Sequence, residues 1–190
     1  MSQPTAIDVL AAALDPVATS VLGAHSSPEG AVTLLLSDVA DAAALRGELG
    51  GERWDELVRD HRVLRDALVT RHEGEVVREH EDGCMAAFAS AHAAAHCAVE
   101  LQRTFADSER PLPLRVGVHT GFVLVEGAEL MGRNVVLAAR IAGQAQVGQI
   151  LVSTALRDYT EGDDRLRFTE LGEFHFKGLV GQHVVHALAW

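Results

Sequence analysis

The sequence predicts an α+β domain whose sheet runs in mixed directions, with helices on at least one face. Three observations predict it. Apolar runs of strand length alternate with longer segments of helical period, in the order β-α-β-β-α-β-β-α-β-α-β-β. The two runs around Asp82-Gly83 are joined so tightly that only an antiparallel hairpin fits, whereas runs separated by helices need crossovers. Hydrophobic residues make up 48% of the chain but aromatic ones only 5%. Alanine therefore supplies much of the apolar surface, which suits helices packed closely on a sheet.

Taken in order, Ile7–Leu22 is Ala-rich and reads as a short helix interrupted at Pro16. The stretch HSSPEG (His25–Gly30) reads as a linker. Residues 1–30 are thus expected to form a helical extension with its linker, and residues 31–190 a single domain. VTLLLSDV (Val32–Val39) is a continuous apolar run ending in polar residues, the pattern of a strand buried on both faces. A helix is expected over Glu52–His72, with Trp54, Leu57, Val58, Leu64 and Leu68 on one face and Gly74 beyond its end. Glu75–Glu81 and Cys84–Phe88 are the hairpin strands. Ser90 is placed to cap a helix running to Ala106.

Pro111 and Pro113 open a strand at Leu114–His119, which Thr120-Gly121 interrupts before Phe122–Val125. A helix over Val135–Gln146 follows Gly132, then a strand Gln149–Val152, then a helix capped by Ser153 and reaching Tyr159. LRFTEL, FHFKGL and HVVHALAW read as short strands at a sheet edge.

The formal net charge of −11 argues against binding a nucleic-acid polymer or an anionic membrane through bulk electrostatics, though a small anion can still be held by a local basic cluster. Two cysteines, Cys84 and Cys97, are too few for a disulfide framework and suit a reducing compartment. The first residues lack the basic start of a signal peptide, and no run approaches the ~20 apolar residues of a membrane span. A soluble, cytoplasmic protein is expected.

Two carboxylates stand out. Asp38 ends the first buried strand and Asp82 sits at the hairpin tip. If those strands are neighbours, two hard anionic oxygen donors meet at one end of the sheet, a pairing that suits Mg²⁺ or Mn²⁺ and that needs a cation, because like charges at close range repel. The plainer reading makes Asp82 a turn former and Asp38 a strand-end cap.

VTLLLSDV, GEVVREHEDGCMAAF, LRVGVHTG, GRNVVLAARIA, GQILVS and FHFKGL occur in this order. Together they resemble the catalytic domain of class III nucleotide cyclases, the adenylyl/guanylyl cyclase homology domain, over about Ala31–Trp190, and within it a divergent bacterial branch. The resemblance implies a ferredoxin-like core working as a head-to-tail homodimer, with nucleotide sites built from both chains. It implies two Mg²⁺ or Mn²⁺ ions per site, held by Asp38 and Asp82. Arg140 then matches the arginine that stabilises the transition state, and Lys177 a lysine that contacts the triphosphate. Arg78 falls where a base-reading lysine is usual, and Glu129 near its partner position. The implied reaction forms a 3′,5′-cyclic nucleotide from a nucleoside triphosphate, with ATP favoured over GTP.

The sequence also departs from the pattern. Asp41 replaces the glycine of the turn after Asp38, and Glu81 replaces the glycine before Asp82, where a positive φ would strain it. Val136 stands where the family has an asparagine, and Asn134, two residues away on a helix, is expected to point elsewhere. These losses sustain the alternative, a degenerate cyclase domain acting as a nucleotide-binding, dimerising or regulatory module. Among other residues, His92, His96 and Cys97 have a zinc-compatible spacing but lack a second ligand pair. His119 is expected to serve a turn and His80 to be a solvated strand residue. Trp54 and Phe105 are expected in the core.

Overall fold

The computed structural model describes residues 30–126 and 129–190. The expected helix Ile7–Leu22 and nearly all of the His25–Gly30 linker lie outside the described residues. Nine strands and five helices are described: β1 Ala31–Val39, α1 Ala42–Leu49, α2 Gly51–Arg71, β2 Gly74–Glu79, β3 Gly83–Phe88, α3 Ala91–Ala106, β4 Leu114–Phe122, β5 Leu124–Glu126, β6 Glu129–Met131, α4 Arg133–Ala142, β7 Ile150–Ser153, α5 Thr154–Tyr159, β8 Phe168–Phe174 and β9 His183–Leu188. Seven strands form one sheet in the order β2-β3-β1-β4-β7-β9-β8, and β5 pairs with β6 apart from it. Only β4 and β7 run parallel, and every other pairing is antiparallel. No described helix is long and apolar enough to cross a membrane.

The sheet is covered on both faces. Leu35, Val39, Ala86, Phe88, Val116 and Val118 face α2 and α3, while Val32, Leu34, Leu36, Met85 and Ala87 face α4. This two-sided burial explains why β1 is apolar without alternation. The Ala-rich α3 is capped as expected, with the Ser90 hydroxyl accepting from the Ala93 N–H at 3.2 Å. Buried Gln102 on the same helix donates to the carbonyls of Leu114 and Gln149 and so closes the β4 and β7 strand ends.

Glycines let α4 sit unusually low on β4. A Cβ at Gly117 would lie 2.4 Å from Ala142 Cα, and one at Gly121 would lie 2.7 Å from the Asn134 side chain. Thr120-Gly121 therefore does not interrupt β4. The strand runs unbroken to Phe122, and Gly121 is there for helix clearance, not for a turn.

Four other expectations change. The buried face of α2 is Trp54, Val58, His61, Arg65, Leu68 and Val69, while Leu64 is exposed. The hairpin strand β2 ends at Glu79, not Glu81, because the bond from His80 N–H to the Gly83 carbonyl makes Glu81-Asp82 the two-residue loop. The helix after Gly132 stops at Ala142. In FHFKGL only Phe174, the end of β8, is strand, and the rest leads into a turn. Leu179 N–H bonds the Phe176 carbonyl at 3.1 Å and Gly178 takes φ +85°, which only glycine adopts easily. Helix α1 is not among the expected elements.

Candidate active site

Asp38 is the last α4-facing residue of β1. Its Cα stands opposite Gly83 on one side and Arg115 on the other. It is 1% exposed, and Arg115 grips it with two bonds, Nε to Oδ1 at 3.1 Å and Nη2 to Oδ2 at 2.5 Å. A carboxylate this deeply buried needs a cation, and the protein supplies one. The Asp82 carbonyl accepts from the Val39 N–H at 2.8 Å, which ties the hairpin tip to the residue after Asp38. Burial, reinforced by the Glu81 charge, pushes the Asp82 carboxyl above its usual range, while a hydrogen bond from its own backbone and, more weakly, the His80 and Arg115 charges pull the other way. Gly83 is needed for the close approach. A Cβ there would lie 2.5 Å from the Ser37 carbonyl oxygen and 3.0 Å from the Asp38 Cβ.

The hairpin is held from its other side by arginines. Arg65, 1% exposed, binds Glu79 and Asp66. Arg62 Nη2 donates to the carbonyls of His80 and Glu81 at 3.0 and 3.2 Å, and Arg46 from α1 bonds the Glu81 carboxylate. Glu81 does not take a positive φ, so it is not strained as the family pattern suggested. The turn after β1 keeps the other left-handed residue, with Asp41 at φ +55° where glycine is usual. Aspartate tolerates that region better than most residues. His80 is half-buried, not solvated, and burial together with Arg78 lowers its pKa.

A second group assembles elsewhere. Arg140 Nε donates to the Lys177 carbonyl at 3.3 Å, and Arg133, two turns earlier on α4, donates to the Val180 carbonyl at 2.9 Å. Phe176 anchors this loop in a core of Leu137, Ile141 and Leu151, which leaves the Lys177 side chain exposed at the turn. Strand register separates the two groups. Asp38 pairs with Arg115, and the neighbouring Val116 leads through Ile150 and Leu188 to Phe168 at one end of the sheet. Lys177 lies in the connection between Phe174 and His183, which pair at the other end.

Arg78 lies on β2 opposite Met85, just past a bulge that turns it to the α4 face. Glu129 opens β6, and its side chain is outside the described residues. Asn134 is turned away from the position Val136 fills. Its Nδ2 donates to the Phe122 carbonyl at 2.6 Å and its Oδ1 accepts from His119 Nε2 at 3.1 Å. His119 serves no turn. It sits inside β4, and its Nδ1 accepts from the Ser153 hydroxyl, which in turn accepts from the Leu156 N–H. His96 bonds Asp163 at 2.6 Å, and no group of three metal-ligating side chains forms among the described residues. Trp54 and Phe105 are buried.

Burial lowers the His119 pKa to about 4. An unfolded histidine binds its proton near 6.5, so the unfolded chain holds more protons between those values. Stability from this group is complete above about pH 6.5 and falls as the pH drops towards 4, by on the order of 3 kcal/mol in all. Urea unfolding at a series of pH values should show that slope, and His119→Gln should flatten it.

Sequence comparison decides the family. The chain matches the adenylate and guanylate cyclase catalytic domain over residues 24–189. It belongs to that family. A candidate adenylate cyclase 3 of Rhizobium meliloti (strain 1021) is 33% identical over 144 residues, covering 73% of this chain and 23% of the relative. An uncharacterized protein of Mycobacterium tuberculosis is 36% identical over 138 residues, covering 71% of this chain and 47% of its own. The chain thus spans about a quarter to a half of these relatives' length. Among solved structures, a Trypanosoma brucei adenylate cyclase analysed in its monomeric state superposes with a TM-score of 0.80 at 25% identity, covering 85% of this chain and 90% of the other. The fold of this chain is therefore the class III cyclase fold, with its mixed seven-stranded sheet.

The sequence reading missed Arg115. Its signal was present, since an arginine inside the apolar strand LRVGV needs an anion, and alternation puts it on the same face as Asp38.

Proposed function

We propose that this cyclase domain converts a nucleoside triphosphate, ATP in preference, into a 3′,5′-cyclic nucleotide and pyrophosphate at sites shared between two copies of the chain. The observation that carries the reading is the separation of the two groups. Asp38, Asp82 and Arg115 lie at one end of the sheet, and Lys177, with Arg140 bonded to its carbonyl, belongs to the other. A site that uses both groups is therefore read as one completed by a second chain. Two copies related by a twofold axis, head to tail, join the ends twice. Phe122, Leu124 and Val180 are 64%, 68% and 85% exposed near the Arg133–Lys177 end, apolar surface that a second chain would cover.

The donor set fits a divalent cation. Asp38 and Asp82 offer hard oxygens, and a magnesium-type site takes one or two carboxylates and completes its shell with substrate phosphates and water. When bound, such ions would lower the pKa of the ribose 3′-hydroxyl and offset triphosphate charge. The protein's part is positional. The 3′-oxygen forms a bond to the α-phosphorus, its proton leaves to solvent, and the bond to the β-phosphate oxygen breaks with its electron pair on pyrophosphate. Arg140 stabilises the charge that builds on the α-phosphoryl oxygens, and Lys177 holds the outer phosphates. Arg115, bonded to Asp38 here, would become available to those phosphates if a cation took over that carboxylate. Arg78 and Glu129 read the base. Adenine fits by donation from Arg78 to N1 and from N6 to Glu129. The adenylate cyclase names of the relatives support that choice over guanine.

A degenerate, non-turning domain is the second reading, favoured by Val136 and by the engagement of Asn134 with His119 and Phe122. The test is incubation with ATP, GTP, CTP and UTP in turn, with Mn²⁺, and mass spectrometry for each cyclic product. Cyclic AMP that disappears in Asp38→Ala is the expected result. No cyclic product from a folded dimer would establish the second reading.

A further inference from the structure

The residue before Asp82 is glutamate where the family pattern has glycine, and the structure shows what that exchange is built into. Three consecutive residues lead into Asp82, and each is held by an arginine from the helices outside the hairpin. Arg65 holds Glu79, Arg62 holds the carbonyls of His80 and Glu81, and Arg46 holds the Glu81 carboxylate. Arg46 and Glu81 are both mostly exposed, so their pair is worth little. Arg65 is anchored a full strand residue away from the loop. Arg62 is different: it grips the backbone of the two residues immediately before Asp82.

The geometry points to Arg62 as the positioning residue of the second carboxylate. Among the described residues, the loop Glu81-Asp82 is otherwise fixed by the His80 N–H on the Gly83 carbonyl, the Val39 N–H on the Asp82 carbonyl and the exposed Arg46–Glu81 pair. Both backbone bonds lie on the sheet side. Arg62 supplies the hold on the helix side. This inference rests on the reading of Asp38 and Asp82 as cation ligands, and its sign separates it from simple electrostatics. Removing a positive charge beside a cation site should tighten Mn²⁺ binding. Removing a positioning residue should weaken it, by about tenfold for the loss of an outer-shell partner.

The experiment measures Mn²⁺ binding to the whole chain by the electron paramagnetic resonance signal of free Mn²⁺, for wild type, Arg62→Ala, Arg62→Lys and Asp82→Asn. Amide hydrogen exchange is followed on the same metal-free proteins. Expected are weaker Mn²⁺ binding in Arg62→Ala, an intermediate value in the shorter-reaching Arg62→Lys, and faster exchange at the His80 and Val39 amides with Leu35 unchanged. Tighter binding in Arg62→Ala with Arg62→Lys like wild type would reduce Arg62 to a charge and overturn the inference. Unchanged exchange at His80 and Val39 would overturn it equally. If wild type holds no Mn²⁺ that Asp82→Asn removes, the cation-site reading fails instead, and the exchange data alone decide whether Arg62 holds the tip.

Discussion

Mixing an Asp38 variant with an Arg140 variant should restore cyclase activity that neither has alone. Each substitution removes one group from every site of a homodimer, and loss of a transition-state contact or a metal carboxylate costs about a hundredfold or more. In a mixed dimer with the geometry described above, one site receives both altered groups and the other receives neither. Random pairing of equal amounts puts half the chains in mixed dimers with one intact site of two, so about a quarter of wild-type activity should return. Asp38→Asn is the better first variant. It keeps an oxygen for Arg115, whereas Asp38→Ala leaves that half-buried guanidinium without its carboxylate. Arg140→Ala also loses the bond to the Lys177 carbonyl, so its folding needs checking by thermal unfolding. Two folded, dimeric variants that stay inactive on mixing would sink the shared site.

Much of this arrangement was legible from residue order alone, and the misses share a physical cause. Continuous apolar character identified β1 because burial on both faces leaves no alternation to obscure. Serine caps were readable at Ser90 and Ser153 because an N-cap is a local bond, and both side chains accept from an N–H three residues on. Glycines were misread because one residue type serves two purposes. Gly83 and Gly121 were taken as turn punctuation, yet both lie in strands where a neighbouring main chain or Asn134 leaves no room for a Cβ. Gly178 is the reverse, a true turn glycine inside a stretch that looks like a strand.

Within the site, residues named by family motif were locatable, but those that neutralise or brace them were not. Arg115, Arg62 and Arg65 act through partners 77, 18 or 19, and 14 positions away, and no local pattern encodes such pairings. Arg65 even occupies the buried stripe of α2, between His61 and Leu68, where an apolar residue is the default expectation.

Those two uses of glycine give the second large prediction, a graded series of alanine substitutions. Gly117→Ala should be strongly destabilising. The new methyl would lie 2.4 Å from Ala142 Cα and 2.5 Å from its nitrogen, so helix backbone rather than a flexible side chain must move. Overpacking of this kind costs about 1–3 kcal/mol, and at the upper end the melting temperature of a chain this long should fall by roughly 6–12 °C. Because α4 carries Arg140, activity should fall with it. Gly162→Ala meets no atom within 4 Å but inherits φ +91°, so strain alone, about 1–2 kcal/mol, sets its smaller loss. Gly47→Ala lies inside α1 with open space and an ordinary φ, and it should stabilise by about 0.5–1 kcal/mol because alanine loses less backbone entropy in a helix. Thermal unfolding of the three variants beside wild type checks the order. If Gly117→Ala melts no lower than Gly162→Ala, α4 does not sit on β4 at Gly117, and the placement of Arg140 relative to the sheet fails with it.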